Sequence, residues 1–191
     1  MAVRAEAERV RPAVLLYPLG LTSIDFRAAM NTVIRNVSAA DLDRCYAIET
    51  VAYEGDEAAT REKIATRIAT WPDGFVVAEV DGVVAGFINS GAAFDVQMSD
   101  EAFKELIGHD PKGPNVVIMS VVVHPDYQGQ GLAKRLLGEF IERMRGMDKA
   151  TIHLMCKEQH IALYAGFGFA YIKPSESDHG GMAWHEMILT L

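Results

Sequence analysis

The chain has 191 residues, half of them hydrophobic, and a formal net charge of -8 at pH 7. This length predicts a single compact domain. The negative charge argues against nucleic acid and anionic membrane surfaces as partners, since an anionic molecule repels them. No apolar run is long enough to cross a bilayer, so a cytoplasmic protein is expected.

The first thirty residues differ from the rest of the chain. An Arg- and Glu-rich start leads into a short apolar run, residues 13–21, which Pro18 and Gly20 interrupt. This run lacks the length and the cleavage site of a secretory signal. We therefore expect residues 1–31 to be an extension and residues 32–191 to be the folded domain, with Met30 as an alternative start. The apolar content of the extension predicts that it packs against something, and a second copy of the chain, forming a homodimer, is one candidate.

One strand and two helices are expected after the extension. Val33 to Val37 alternate apolar and polar residues, and Ser38 is a favourable N-cap for a helix from Ala39 to Ala52. An acidic segment, Glu54 to Glu57, separates this helix from a second one that runs from about Thr60 to Trp71. The apolar positions that predict the buried stripe of the first helix are Leu42, Cys45, Tyr46, Ile48 and Val51.

A hairpin and a long connection follow. Residues 74–80 and 83–88 read as strands, and the Asp81-Gly82 pair between them is a strong signal for a tight hairpin turn. The connection from Gly91 to Pro114 contains a short helix start at Ser99-Asp100. Long connections in compact domains often shape a binding site.

The second half of the chain alternates strands and helices. The apolar run from Val116 to Val123 predicts a buried strand, and Leu132 to Met144 carry the apolar stripe of a helix. A strand from Ala150 to Cys156, a helix containing Ile161 to Tyr164 and a closing strand from Met182 to Leu191 complete the pattern. Cys156 and the distant Cys45 suit neither a disulfide nor a metal site, so both are expected to be buried thiols.

Two glycines lie between the buried strand and the helix that follows it, in the segment Gln128-Gly129-Gln130-Gly131-Leu132-Ala133. Glycines at a helix start let several backbone N–H groups converge on one anion, and the helix N-terminus adds about half a positive charge. Phosphate is the natural ligand of such a loop. The spacing is that of neither a Walker loop nor a GxGxxG loop, and an ordinary tight turn would also explain it.

The same six residues resemble the Q/R-x-x-G-x-G/A motif of the GCN5-related N-acetyltransferases (GNAT), and the order of elements over residues 32–191 resembles that family too. The resemblance implies a single-domain α/β fold with a mixed central sheet of six to seven strands and about four flanking helices. In the family this loop holds the pyrophosphate of acetyl-CoA, which implies acetyl-CoA as the acyl donor. The implied cofactor-binding residues are Val121, Val122, Val123, Gln128, Gly129, Gln130, Gly131, Leu132, Ala133 and Lys134.

The C-terminal half resembles more narrowly the arylalkylamine N-acetyltransferase group. Four segments carry this resemblance: Leu154 to Cys156, Tyr164, Gly166 to Phe169 and Trp184 to Met187. In the family the tyrosine that matches Tyr164 protonates the departing sulfur of CoA, and a phenol with a pKa of about 10 keeps its proton at neutral pH. A backbone N–H freed by a bulge near Val121 is expected to polarise the acetyl carbonyl.

The sequence leaves the proton acceptor open. Vertebrate members of the arylalkylamine group carry two strand histidines, but Val117 and Met119 stand at those positions here, so their base is not transferable. Glu57 is the first candidate, because some relatives place a glutamate in this acidic loop; Glu54, His124 and water are alternatives. Glu54 and Met119 are also expected to contact the substrate. No metal is expected.

One function is favoured and others are left open. The favoured one is an acetyl-CoA-dependent N-acetyltransferase in which a small primary amine attacks the acetyl group directly in a ternary complex. An arylalkylamine, a polyamine or an amine-bearing antibiotic would suit it. The alternatives are an N-acetyltransferase that acts on proteins or peptides and a non-catalytic acyl-CoA-binding module.

Overall fold

The computed structural model describes residues 31–53, 58–177 and 181–191. Of the predicted extension, only Asn31 falls within these residues. The helices are α1 (Leu42–Ala52), α2 (Arg61–Thr70), α3 (Leu132–Gly146) and α4 (Ile161–Ala165). The strands are β1 (Thr32–Asn36), β2 (Phe75–Val80), β3 (Val83–Ala93), β4 (Asn115–Val123), β5 (Thr151–Cys156), β6 (Ala170–Pro174) and β7 (His185–Thr190).

The seven described strands form one mixed sheet in the order β1-β2-β3-β4-β5-β7-β6. Neighbouring strands are antiparallel except β4 and β5, which are parallel. The β4–β5 ladder covers only residues 115–117 of β4 and 151–153 of β5, whereas β3 follows β4 along its whole length. The sheet therefore opens between β4 and β5 beyond Val117.

The core lies on both faces of this sheet, because successive strand residues point to opposite sides. Val76 of β2 belongs to the apolar cluster formed with α3, which includes Leu136 and Phe140. The next residue, Val77, belongs to the cluster formed with α1 and α2, which includes Ile48. The predicted α/β domain, a mixed sheet flanked by helices, is confirmed, and its helices lie on both faces of the sheet.

The β2–β3 hairpin confirms the turn predicted from Asp81-Gly82. Asp81 has a φ of 50° and Gly82 a φ of 84°, so both central residues are left-handed. This is the geometry of the tight turns whose twist matches that of the flanking strands. The predicted strand at residues 83–88 is longer than expected and continues to Ala93.

Two predictions about the elements were wrong. Val51 is 57% exposed, because at 3.6 residues per turn it lies about 120° around the helix from Cys45, beyond the edge of the buried stripe. Glu49, four residues after Cys45, occupies that stripe instead and is buried. The sequence reading also missed β6, an edge strand whose five residues are all exposed and show no apolar alternation.

Both cysteines are buried free thiols, as expected. Burial raises the pKa of Cys45 to about 12 and that of Cys156 to about 11, so neither thiol is a nucleophile at neutral pH. Within the described ranges, no helix combines the length and apolar character that crossing a membrane requires.

Candidate functional site

A cavity of about 460 Å³ lies where β4 and β5 separate. Its wall is built by α1, α2, the β3–β4 connection, the middle of β4, the end of β5 and α4. Three residues predicted from the sequence line it together, namely Met119, Val121 and Tyr164. The opening in the sheet is therefore the candidate site.

A β-bulge interrupts β4 at this cavity. Ser120 pairs with Asn89 of β3 and Ile118 with Ser90, so Met119 is the extra residue between them. The bulge lies two residues before Val121, near which it was predicted. The Tyr53 hydroxyl, at the end of α1, donates to the carbonyl oxygen of Val121 at 3.4 Å. The strand backbone beside the bulge is thus part of the site.

Tyr164 lies in α4 and is only 8% exposed. Its ring packs edge-on against Phe169, with ring centroids 5.8 Å apart. Burial raises the pKa of the phenol above its usual value, and the nearby Cys156 adds to the shift. The hydroxyl makes no hydrogen bond with another described residue. A protonated phenol that lines a cavity can act as a proton donor there.

Glu49 is a cavity residue that the sequence reading did not single out. Its side chain is buried, at 1% exposure, and one carboxylate oxygen accepts from the Ala59 N–H at 3.0 Å and from the Ser120 hydroxyl at 3.2 Å. The signal in the sequence was an acidic residue on the apolar stripe of α1. Buried carboxylates are rare outside functional or paired positions.

Arg67 of α2 is the second buried charge that the sequence reading missed. It is 4% exposed, and its guanidinium donates to the Asn89 side-chain oxygen at 3.2 Å and to the Lys104 carbonyl at 2.9 Å. Its Nε has no hydrogen-bond acceptor in the described structure. Burial lowers the pKa of this guanidinium, while the charge of Glu49 opposes that shift. The group stays protonated at neutral pH.

None of the other side chains named as candidate proton acceptors is among the described residues that line the cavity. Glu54 and Glu57 lie outside the described residues. His124 follows the last residue of β4, and its Nδ1 accepts from the Asp126 N–H at 3.3 Å. It is not among the residues that line the cavity.

The glycine loop forms the start of α3. Gly129 and Gly131 have φ angles of 73° and 77°, a conformation that suits glycine, and a Cβ on either would meet no atom within 4 Å. These glycines are therefore required by the backbone conformation rather than by lack of space. The Gln128 side chain donates to the Val123 carbonyl at 3.0 Å and ties the loop to β4. The first N–H groups of a helix have no acceptor within it, so they are available to an anion.

The remaining residues predicted to bind the cofactor surround this loop. The side chains of Val122, Val123 and Leu132 are buried in the core, and Ala133 packs against it, so contacts from them would come from the backbone. Lys134 is exposed. Gln130 donates from its side chain to the Asp126 carbonyl at 3.4 Å. Within the predicted set, which the structure describes in full, Val121 alone lines the cavity.

Known proteins resemble the chain in sequence. The model of the Acetyltransferase (GNAT) family matches residues 41–169. The uncharacterized N-acetyltransferase ycf52 of Pyropia yezoensis is 29% identical over 116 residues, which are 59% of this chain and 65% of that protein. The L-amino acid N-acyltransferase MnaT of Escherichia coli (strain K12) is 32% identical over 97 residues, which are 49% of this chain and 48% of that protein. The matches to three ycf52 proteins span 30% to 65% of those relatives' lengths.

The fold also resembles solved structures. The structure of yncA from Salmonella typhimurium with its cofactor acetyl-CoA superposes with a TM-score of 0.61 at 26% identity. The superposition covers 84% of this chain and 94% of yncA. The fold class implied by the motif and the order of elements is confirmed.

Proposed function

This chain belongs to the Acetyltransferase (GNAT) family, and we propose that it transfers the acetyl group of acetyl-CoA to a small primary amine. The observation that carries the proposal is the position of Tyr164, a buried and protonated phenol that lines the cavity between β4 and β5. In the proposed reaction, the amine and acetyl-CoA are bound together and the amine attacks the acetyl group directly.

The residues of the glycine loop fit acetyl-CoA. Gly129 and Gly131 allow the first backbone N–H groups of α3 to converge, which suits a pyrophosphate. Lys134 is exposed beside them and would offset part of the phosphate charge. The opening between β4 and β5 gives an extended acyl carrier a path to the cavity. Acetyl-CoA supplies the activated acetyl group.

The bulged strand and Tyr164 would serve the reacting end. A backbone N–H near Val121 would donate to the acetyl carbonyl oxygen, and a donor of this kind typically contributes on the order of 10² to 10³ in rate. The phenol of Tyr164 would give its proton to the departing sulfur. Because burial favours its protonated form, Tyr164 would hold that proton throughout the neutral pH range.

The amine must lose a proton before it can attack. Glu49 is the carboxylate that the described residues place inside the cavity, and we propose it as the acceptor of that proton. Its hydrogen bonds to Ala59 and Ser120 would fix its orientation. Glu57, the acceptor suggested by the family resemblance, remains a prediction.

The nature of the amine is the finer part of the proposal. A cavity of about 460 Å³ suits a small acceptor, and MnaT, whose name specifies L-amino acids, supports a small-molecule substrate. Membership in the arylalkylamine N-acetyltransferase group, a cytoplasmic location and a homodimer also remain predictions. Proteins or peptides as acceptors are the alternative that the first experiment must address.

The experiment measures release of the CoA thiol from acetyl-CoA with arylalkylamines, polyamines, aminoglycosides, amino acids and short peptides as acceptors. Tyr164→Phe is assayed beside the parent, and CoA binding is measured by calorimetry. We expect a small amine to accelerate release, and Tyr164→Phe to lower kcat about 10²-fold or more while CoA still binds. If CoA binds but no acceptor works, the protein is a non-catalytic acyl-CoA-binding module.

A further inference from the structure

Three basic side chains line the cavity in the described part of the chain, and two of them are neutralised. Lys63 forms an ion pair with Glu105 at 2.8 Å, and Lys104 forms one with Glu101 at 2.8 Å. Arg67, in contrast, has no carboxylate oxygen within 4 Å among the described residues. One cation of the cavity wall therefore has no direct ion-pair partner among the described residues, although the charges of Glu49 and Glu105 act on it from farther away.

The guanidinium of Arg67 also has unused hydrogen-bonding capacity. Of its five N–H donors, one is used by Asn89 and one by the Lys104 carbonyl, which leaves three. Both acceptors are neutral groups, and the side chain is only 4% exposed. Burying a charge is costly unless a partner of opposite sign compensates it. Because this buried guanidinium lies in the wall of the cavity, an anionic ligand bound there would compensate its charge.

The same cavity contains the buried carboxylate of Glu49 on the neighbouring helix α1. The two other acidic residues described in its wall, Asp95 and Asp100, are exposed. The buried part of the wall thus presents one negative group and one positive group. A small molecule that carries both an amine and a carboxylate would match the two.

We propose that the acceptor is an amino acid, whose carboxylate binds Arg67 while its amine faces Glu49. This inference rests on the proposed function and names the substrate class of that site. The planar guanidinium can donate two parallel hydrogen bonds to a carboxylate, a geometry that an ammonium group cannot reproduce. Arylalkylamines and polyamines have no carboxylate and would leave the three remaining N–H donors of Arg67 without an anionic acceptor.

The test compares acceptors that differ by a single carboxylate. Phenylalanine is paired with phenethylamine, and lysine with cadaverine, and kcat/KM is measured for each with the full-length parent protein. Hydrogen bonds to charged groups predict that the preferred amino acid exceeds its decarboxylated counterpart by roughly 10- to 100-fold. Equal or higher values for the decarboxylated amines would overturn the proposal.

Variants of Arg67 assign the preference to this residue. Arg67→Gln is expected to reduce the ratio of kcat/KM for the amino acid to that for its decarboxylated counterpart to about 1. The matched control is Arg61→Gln on the same helix, an exposed position paired with Asp43 at 2.7 Å, which should keep the parent preference. A preference that survives in folded Arg67→Gln would overturn the proposal.

Arg67→Lys keeps the test decisive if Arg67→Gln fails to fold. A buried ammonium retains the charge but not the planar pair of donors, so we expect a preference between 1-fold and that of the parent. A preference as high as that of the parent would argue against a carboxylate held by the guanidinium. If no acceptor of the wider panel used to test the proposed function releases CoA thiol, that function itself fails, whereas release without carboxylate preference overturns only this inference.

Discussion

Glu49 and Glu57 compete for one role, that of proton acceptor, and single substitutions separate them. We expect Glu49→Gln to lower kcat/KM about 10²-fold or more at neutral pH, the usual contribution of a positioned general base. Glu57→Gln should lower it by less than about 10-fold. The loss in Glu49→Gln should shrink as the pH approaches about 10, because about half of an alkylamine is then free base.

Steady-state kinetics across this pH range with one amine acceptor would check the prediction. Calorimetric CoA binding serves as the control, since a base for the amine should leave CoA affinity unchanged. A larger loss in Glu57→Gln than in Glu49→Gln would assign the role to the acidic loop, as the family resemblance suggests.

Residues in a local motif could be predicted from the sequence, whereas residues that act through distant contacts could not. Tyr164 was identified because Gly166 to Phe169 fix its register. Glu49 meets Ser120, 71 positions later, and Arg67 meets Asn89, 22 positions later. Sequence spacing does not predict contacts between such distant residues. A charged residue on the apolar stripe of a helix does, however, indicate a buried charge, and this could have been predicted.

At the scale of elements, an ion-pair cluster fastens the start of α1 to the edge of the sheet. The Asp41 carboxylate accepts from both Nη atoms of Arg35 on β1, at 2.8 and 2.9 Å, and from the Ser38 N–H at 2.7 Å. Arg35 also contacts Glu79 on β2 at 2.9 Å. Principally through the hydrogen bonds from Arg35, the pKa of Asp41 is lowered from 3.8 to about 2.

We expect Asp41→Asn to reduce the free energy of unfolding by about 2 kcal/mol at neutral pH, given about 1.4 kcal/mol per pKa unit. Because the folded-state pKa is depressed, this stability is present above about pH 4 and is lost as the pH falls towards 2. Urea unfolding at pH 7 and pH 3 would check both points. Asp43→Asn, which removes an exposed ion pair with Arg61, should cost no more than about 1 kcal/mol.

The proposed role of the loop between β4 and α3, binding of the CoA pyrophosphate, can be tested separately from acetyl transfer. Gly131→Ala places a side chain at a φ of 77°, which costs about 1 to 2 kcal/mol locally and disturbs the N–H groups at the start of α3. We expect the affinity for CoA to fall at least about 10-fold. Turnover of S-acetylpantetheine, which lacks the pyrophosphate, should change little.

Gly146→Ala is the matched control for this loop prediction. Gly146 ends α3 without a positive φ, and an added Cβ there would meet no atom within 4 Å. Gly146→Ala should therefore leave both the affinity for CoA and the turnover of S-acetylpantetheine unchanged. Equal losses for CoA and S-acetylpantetheine in Gly131→Ala would contradict a phosphate-binding role for the loop.

Elements with strong local patterns were predicted better than the geometry between them. The hairpin turn and the buried strand β4 follow from residue types that suit few alternatives. The early end of the β4–β5 ladder and the bulge at Met119 depend on pairing between strands that are distant in sequence. The cavity is produced by these two features, so its full lining could not be read from the sequence.

At the scale of the whole molecule, the net charge and the charges inside the cavity bear on different classes of partner. The total of -8 argues against nucleic acid and anionic membrane surfaces as partners. The described cavity nevertheless contains Arg67, a cation that is only 4% exposed and whose charge is therefore little screened by salt. The α/β alternation, in contrast, could be predicted from the residues themselves, and the mixed sheet was implied by the family resemblance.

The last prediction concerns residues 1–29, which precede the domain. Their apolar run, residues 13–21, should be buried against another surface, because exposing contiguous apolar residues to water is unfavourable. We expect a chain that starts at Met30 to bind CoA with unchanged affinity but to have a lower mass in solution or a lower Tm than the full chain. Light scattering after size exclusion and thermal unfolding measure these quantities. Unchanged mass and Tm would show that the extension packs on neither the domain nor a second copy.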